Sequence, residues 1–470
     1  MVERAWPVAA VAALTLSACS LAPAYQPPVA ATPTAFKETG PWTPAAPADA
    51  APRGAWWSVF GDPVLADLEG QLEAGNPNLA SALARYDQAR AVLGQARGPL
   101  LPEIGAEPSA QRQRQSGSRP QGGAGGGEFN TYTLGGAASY ELDLWGRIRN
   151  QVAAAGANAQ ASQADAAAVK LSLQAELAGN YMALRGADAQ LKLLTATVDA
   201  YSRAFELTTA RHDGGAASGL DVGRAETQLQ SAKAQIEDVA AQRSLYEHAI
   251  ATLVGQPPAA VSIAVIDSHL APPRPPVSAP SLLLQRRPDI AAAERRAAAA
   301  NAQVGVARAA LFPAVSLSAT GGWQTGGGVE ILKADNLFWT LGAELTAPLF
   351  DNGRRQAGVR LARAQYAQVS ADYRALVLEA FQSVEDQMAL CNRLAAAADA
   401  QAQAMRAAER TQDLALTRYR LGAADYLEVV TAQTAALQAE QAALSLQTRR
   451  LQASVNLIRA LGGGWGGLKS

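Results

Sequence analysis

The sequence predicts an α+β membrane protein made of two copies of one unit: a short helix, a strand hairpin and a pair of long coiled-coil helices. Three observations carry this reading. The stretch Arg418-Tyr-Arg-Leu-Gly-Ala-Ala-Asp-Tyr-Leu-Glu-Val429 has an earlier counterpart, Arg211-His-Asp-Gly-Gly-Ala-Ala-Ser-Gly-Leu-Asp-Val222, in one constant register that sets Gly215 against Gly422 and Asp221 against Glu428. Each stretch is a Gly-containing break between long, Ala-rich, proline-free segments, the pattern of one helix turning back on another. Two pairs of segments alternate apolar and polar residues with a period of two, as strands with one apolar face do.

Composition narrows the function classes. The chain has 470 residues and a formal net charge of −1 at pH 7, so there is no electrostatic case for nucleic acid or a bulk acidic partner. Abundant alanine with only 6% aromatic residues favours long, closely packed helices. Residues 1–18 read as a signal peptide: Arg4 precedes an apolar run, Trp6 to Leu16, that is too short to span a bilayer. Leu16-Ser17-Ala18-Cys19 resembles the bacterial lipoprotein box. That resemblance implies cleavage before Cys19, lipidation of Cys19 and, with Ser20 following, delivery to the outer membrane. An ordinary signal peptide with an incidental cysteine is the alternative. Only Cys391 would remain, which leaves no intramolecular disulfide and reads as a small apolar helix residue.

Residues 19–55 are Ala/Pro-rich without periodicity and are expected to form an extended tether between lipid and folded domain. The first repeat, 56–256, opens at Trp56-Trp57. A helical segment from Val64 to about Gly98 is interrupted at Asn76-Pro77-Asn78, where Pro77 suits a helix start. Strands are expected over 102–115 and 130–145; in the second, Tyr132, Leu134, Ala138, Tyr140, Leu142 and Leu144 alternate with Thr131, Thr133, Ser139, Glu141 and Asp143. The Gly-rich loop between them lacks the Lys-Ser/Thr ending of a phosphate loop and reads as a flexible connection. No proline occurs from Arg147 to Gln256. Val222, Ala225, Leu229, Ala232, Ile236, Val239, Tyr246, Ile250 and Leu253 keep coiled-coil spacing, with Arg243 the only charge on the seam. A helix over 147–212 would be about 100 Å long, which an isolated globular helix rarely reaches.

A proline-rich connector, 257–280, leads to the second repeat, 281–461, and a tail, 462–470. Arg287-Pro288-Asp289 matches Asn76-Pro77-Asn78, and Leu311-Phe312-Pro313 matches Leu100-Leu101-Pro102. Val315, Leu317, Ala319 and Trp323 alternate with polar residues, and so do Leu337, Trp339, Leu341, Leu345 and Leu349. Val359, Ala362, Tyr366, Val369, Tyr373, Leu376 and Ala380 resume the heptad, followed by Leu437, Leu444, Leu451 and Ile458. Such self-similarity marks an internal duplication.

Strands with one apolar face suit lipid, yet four of them close no barrel, and an open edge in lipid strands backbone amides at several kcal/mol each. Membrane-spanning strands here therefore require oligomers, with the helices closing into a hollow cylinder; elementary physics leaves the number of copies open.

The layout resembles the outer-membrane factors, the TolC-like trimeric channels of efflux and type I secretion, and within them the NodT-type lipoproteins of RND multidrug efflux. The resemblance rests on Cys19, Trp56-Trp57 through Gly61-Asp62-Pro63, Asn76-Pro77-Asn78-Leu79, Tyr140-Glu-Leu-Asp143-Leu-Trp-Gly146-Arg147, Gln285-Arg-Arg-Pro-Asp-Ile290 and the two turn stretches. It implies a homotrimer with a twelve-stranded β-barrel, a twelve-helix α-barrel tunnel and an equatorial collar of shorter helices. The partners implied are a periplasmic adaptor (membrane fusion) protein, an inner-membrane RND pump and outer-membrane lipid. By position, Tyr419, Asp425 and Glu428 become gate residues, with Arg418 and Arg420 as ion-pair partners. Arg211, Gly215, Leu220, Asp221, Leu421, Gly422 and Leu427 become the adaptor-docking tips. Thr431 departs from the pattern, since many relatives carry a second acidic residue there. No enzyme, cofactor or metal is expected: His212, His248 and His269 are isolated, and no nucleophile–base constellation is visible. A type I protein-secretion duct and a lipid-tethered periplasmic scaffold without a pore are the competing readings.

Overall fold

The computed structural model describes residues 20–38, 54–114, 127–266, 270–273, 286–327 and 331–463. The signal peptide, Cys19, most of the Gly-rich loop, His269 and parts of the tether, connector and tail lie outside them. The chain divides into two compact units.

One unit comprises Met1–Val29, Arg85–Gln163 and Ala292–Arg374. It holds a sheet of strands β1 (Glu103–Arg114), β2 (Glu128–Leu142), β3 (Ala314–Thr325) and β4 (Leu337–Thr346). The order is β1-β2-β3-β4, antiparallel throughout. The register lines Ile104, Ala138, Ala319 and Leu341 along one row, and Pro108, Leu134, Trp323 and Leu337 along another. This face is apolar as far as Tyr132, with Arg112, Arg114, Glu128 and Asn130 at its far end, and it is unusually bare: Ile104 is 81% exposed and Trp339 72%. The opposite face carries Glu103, Glu107, Thr131, Ser139, Ser316, Ser318, Thr340 and Glu344, with Phe129 and Phe338 as exceptions.

Two strands stop earlier than the alternation predicts, at Leu142 rather than 145 and at Thr346 rather than 349. An aspartate follows each, at the start of the next helix. Asp143 turns its carboxylate to the amides of Ile148 and Arg149, 3.0 and 2.9 Å away, and so caps the next helix. Asp351 does the same for Gly353 and Arg355.

Residues 20–38, the described part of the segment after Cys19, carry no helix or strand and are docked. Ser20 donates to Asn150 Oδ1, Asn301 donates to the Pro23 carbonyl and Arg308 to that of Leu21, while Tyr25 OH donates to Glu294 at 2.7 Å. Among the described residues, no helix is long and apolar enough to cross a membrane.

The other unit comprises Ala30–Ala84, Ala164–Ala291 and Ala375–Ser470. Helix α1 (Pro63–Gly75) starts where Asp62 accepts from the amides of Val64 and Leu65. Helix α2 (Pro77–Arg97) follows after Asn76, α5 (Pro288–Ala309) is its repeat, and each has residues in both units. The long helices are α4 (Gly219–Leu253) and α7 (Tyr426–Ala460), within this unit, and α3 (Arg147–Asp213) and α6 (Arg354–Arg420), whose first residues belong to the other. The duplication extends to individual bonds. Asn76 Nδ2 donates to the Leu253 carbonyl at the end of α4, and Arg287, its repeat equivalent, donates to that of Ala460 at the end of α7.

The main core gathers Trp56, Trp57 and Phe60 with Leu65, Leu72, Tyr181, Ile250 and Ile458. The seam predicted for α4 is the buried one: Ala225, Leu229, Ala232, Val239, Ile250 and Leu253. Arg243, the odd charge on that seam, meets Asp188 of α3 at 2.6 Å. On the connector side Arg243 and Glu247 hold the backbone of Ile263, and Arg185 holds the carbonyl of Ala264.

Candidate functional site at the helical turns

Both long helical hairpins reverse through a glycine with positive φ, Gly215 at 73° and Gly422 at 74°, a conformation that costs glycine nothing and a β-carbon about 1 kcal/mol or more. Each return helix is then capped. Ser218 and Asp221 form a reciprocal capping box on α4, and Asp425 accepts from the Glu428 amide at 3.1 Å on α7. His212 belongs to the first turn as well, its Nδ1 lying 3.0 Å from the Ala217 carbonyl.

The two turns meet through residues that aligned in sequence but diverge in role. Arg211 reaches across and donates to the carbonyls of Tyr419 and Arg420 at 3.0 and 3.1 Å, its guanidinium 4.6 Å from the Tyr419 ring centroid. Arg418, its repeat equivalent, stays within its own hairpin and pairs with Glu428 at 2.8 Å. That pair is about half exposed and contributes at most about 1 kcal/mol. Arg420 and Asp425 are exposed.

Tyr419 is only 6% exposed. Its ring packs edge-on against Tyr426 at 5.3 Å, within a cluster that includes Ala225 and Val429. Burial pushes the Tyr426 phenol up to about 12, so that ring stays a neutral packing group. Tyr426 and Thr208, which lies beside the Tyr419 hydroxyl, were not singled out in the sequence. The signal for Tyr426 was present: it stands seven residues after Tyr419 and three before the apolar Val429. Leu220, Leu421 and Leu427 are exposed on the outside of the turns.

Arg211→Ala removes two charge-assisted hydrogen bonds and a cation–π contact, on the order of 1–2 kcal/mol together. Amides of 416–422 should exchange about tenfold faster with deuterium, since about 1.4 kcal/mol is a factor of ten. Unchanged exchange there would mean that Arg211 does not hold the second turn.

Comparison with known proteins agrees with the two-repeat layout. A family model described as outer membrane efflux protein matches residues 68–256 and again 279–463. The pyoverdine export outer membrane protein OpmQ of Pseudomonas aeruginosa is 35% identical over 460 residues, covering 97% of this chain and 96% of that one. The toluene efflux pump outer membrane protein TtgC of Pseudomonas putida is 31% identical over 466 residues, with 97% and 95% covered. Among solved structures, the outer-membrane channel OprN superposes with a TM-score of 0.88 at 32% identity, over 96% of this chain and all of that one. Matched in both repeats and along almost its whole length, the chain belongs to the outer membrane efflux protein family and is an efflux duct of the outer membrane.

Proposed function

We propose that the protein is the exit duct of a tripartite RND-type efflux system, a homotrimer that conducts small molecules passively once docked to a periplasmic adaptor and an inner-membrane pump. The observation that carries this is the four-stranded sheet: one face apolar and bare, the other polar, with β1 and β4 lacking a partner at its two edges among the described residues. Pairing β4 of one copy with β1 of the next satisfies those edges, puts the apolar face to lipid and encloses the polar face. Three copies give twelve strands and room for water inside. A tethered scaffold has no use for such a sheet.

OpmQ and TtgC are named for pyoverdine and toluene, which favours small-molecule cargo over a secreted protein. Lipidation at Cys19 fits the docking of Ser20 beside Asn150, in the first turn of α3 just past β2. At the turns, Leu220, Leu421 and Leu427 offer the adaptor apolar contacts, with Gly215, Gly422, Arg211 and Asp221 shaping the surface. The gate is assigned to Glu428, Asp425, Arg418 and Arg420, with Tyr419 setting the turn's position from within. Three-fold symmetry brings three Glu428 carboxylates toward one axis, where like charges repel and attract cations, while Arg418 offsets part of that charge.

Purified protein in planar bilayers should form channels, and their complete absence under gate-opening conditions would overturn the transport reading. Glu428→Ala should lower cation preference or flatten the pH response of the conductance. If reversal potential and pH response both stay as in the parent, Glu428 is not in the gate.

A further inference from the structure

The two repeats meet inside the chain along the ladder between β2 and β3, which runs to Leu142 opposite Val315. At the outer edges of the sheet the duplication leaves the same ladder unmade. Setting Gly146 on Gly353 places β2 on β4, and setting Pro102 on Pro313 places β1 on β3. β1 and β3 begin at equivalent residues, Glu103 and Ala314, and end at equivalent residues, Arg114 and Thr325. β2 and β4 do not end together. Bonded on both sides, β2 runs to Leu142, whereas β4, bonded only to β3, stops at Thr346, short of Leu349, the equivalent of Leu142. Leu349 and Phe350 are 98% and 88% exposed, and Leu101, just before β1, is 73% exposed. Their counterparts inside the chain are engaged. Leu142 and Val315 are half-buried in the ladder, and Phe312, the equivalent of Leu101, stacks on Trp145 at 4.8 Å while Trp145 donates to the Pro313 carbonyl at 2.7 Å.

The register of the missing ladder follows from the one that exists. Leu142–Val315, Ala138–Ala319 and Ala137–Thr320 become, in the other halves of the repeat, Leu349–Ile104, Leu345–Pro108 and Glu344–Ser109. This register keeps Leu345 and Leu349 on the face of Ile104, and Glu344 on the face of Glu103 and Glu107. A slip of one residue would exchange the faces. Within one chain β1 and β4 stand at opposite edges of the sheet, so each needs its partner from a second copy. Pairing like edges, β1 on β1 or β4 on β4, would turn one copy end for end or face for face.

We infer that β4 joins β1 of the next copy in this register, Glu344 opposite Ser109 and Leu349 opposite Ile104, and that the pairing completes β4 by drawing 347–349 into the ladder. Bonding alternates along an antiparallel strand, so Pro348, which has no N–H, faces away while 347 and 349 bond the neighbour; the ladder lacks one donor, at Pro108. The apolar spacing that runs on to Leu349 then has its use, since Leu349 is covered only once Ile104 of another copy lies beside it. Each added copy presents the same free edge, so the contact is head-to-tail and ends only when a ring closes. The inference rests on the duct reading in needing several copies around one axis, but which residues meet follows from the duplication alone.

The test is disulfide cross-linking of the full-length protein, in outer membranes and after purification, on a Cys391→Ser background. Residues directly opposed in an antiparallel pair have Cα atoms about 4.5–5.5 Å apart, within reach of a disulfide. Ser109→Cys with Glu344→Cys should, on mild oxidation, turn the single-chain band of a non-reducing gel into bands of twice and three times its mass, and reductant should restore it. Ile104→Cys with Leu349→Cys should do the same. Gln113→Cys with Glu344→Cys, four residues out of register and about 13 Å displaced, should stay a single chain. Circular dichroism of each single-cysteine chain that matches the parent removes misfolding as the cause of a missing band. Cross-linking by the displaced pair in place of the first overturns the register, and cross-linking by Ser109→Cys or Glu344→Cys alone overturns the head-to-tail contact. The first pair without the second overturns the completion of β4. Light scattering separates this inference from the duct reading: an oligomer in which neither opposed pair cross-links sinks the strand pairing and leaves the duct, whereas a monomer throughout sinks both.

Discussion

Replacing Asp188 with alanine should destabilise the protein by about 3–5 kcal/mol, the cost of stripping one partner from a buried ion pair. Asp188 is almost fully buried, its side chain 1% exposed, and accepts from Arg185 at 2.8 Å and Arg243 at 2.6 Å. Tyr181 links this centre to the start of α1, accepting from Arg185 at 3.0 Å and donating to the capping Asp62 at 2.6 Å. Burial and the bond to Asp62 raise the Tyr181 phenol, which therefore keeps its donor. The network ties α1, α3, α4 and the connector into one piece, and without Asp188 Arg185 stays in the core without an anion while Arg243 keeps only Glu247 at 3.3 Å. Asp188→Asn keeps an acceptor and should lose less. Converting Arg185 and Asp188 together to Met and Leu, with Arg243 kept on Glu247, should recover much of the loss, because that buried pair is then gone rather than orphaned. Thermal and denaturant unfolding followed by circular dichroism would measure this; a loss below about 1 kcal/mol for Asp188→Ala would show that the arginines find other partners.

What the sequence revealed and what it hid divide along the range of the cause. Features with a local cause were legible: a glycine where φ must be positive, a proline at a helix start, alternation where a strand has one apolar face. The repeat made them legible twice, down to Asn76 and Arg287 holding equivalent carbonyls at Leu253 and Ala460. Strand ends were misjudged by three residues: Asp143 looks like continued alternation until its carboxylate is seen to cap a helix, and Leu349 continues the apolar spacing past Thr346. Partners far apart in the chain were not legible. Arg211 and Arg418 align, yet one grips the opposite turn and the other its own, and no alignment of the halves distinguishes them. Arg243 was visible as an oddity, but its partner lies on another helix. Composition reads 19–55 as an extended tether, and it does not announce that Glu385 receives the amides of Lys37 and Glu38 at 2.6 and 2.9 Å. At the turns the sequence identified the stretch and missed Tyr426, since a tyrosine near a turn does not announce that it is packed inward.

Glu69 should make the protein progressively less stable as pH rises from about 4.5 to about 9, and Glu69→Gln should abolish that slope. Glu69 is 0% exposed on α1 among the main core residues, and neither carboxylate oxygen has a hydrogen-bond partner. Desolvation, then the charge of Glu73, push its carboxyl up to about 9, against a smaller downward pull from Lys170. The folded protein therefore keeps Glu69 protonated through neutrality, while the unfolded chain ionises it near 4.5. Between those values the unfolded state releases a proton that the folded state retains, so stability falls by about 1.4 kcal/mol per pH unit and levels off above 9. Near pH 7 the accumulated cost is a few kcal/mol, enough to outweigh any surface ion pair on the molecule. Glutamine has the shape and polarity of the protonated carboxyl without the proton to lose. The variant should match the parent at pH 5 and exceed it by a few kcal/mol at pH 8.5, read as the gap between thermal midpoints across that range. Lys170 and Glu73 form an exposed pair at 2.7 Å beside it, so Glu73→Gln serves as the comparison: it should lower the Glu69 value modestly and shift the slope without removing it. Parallel pH curves for parent and Glu69→Gln would mean that water or a cation reaches the carboxylate and that it is charged in the folded protein after all.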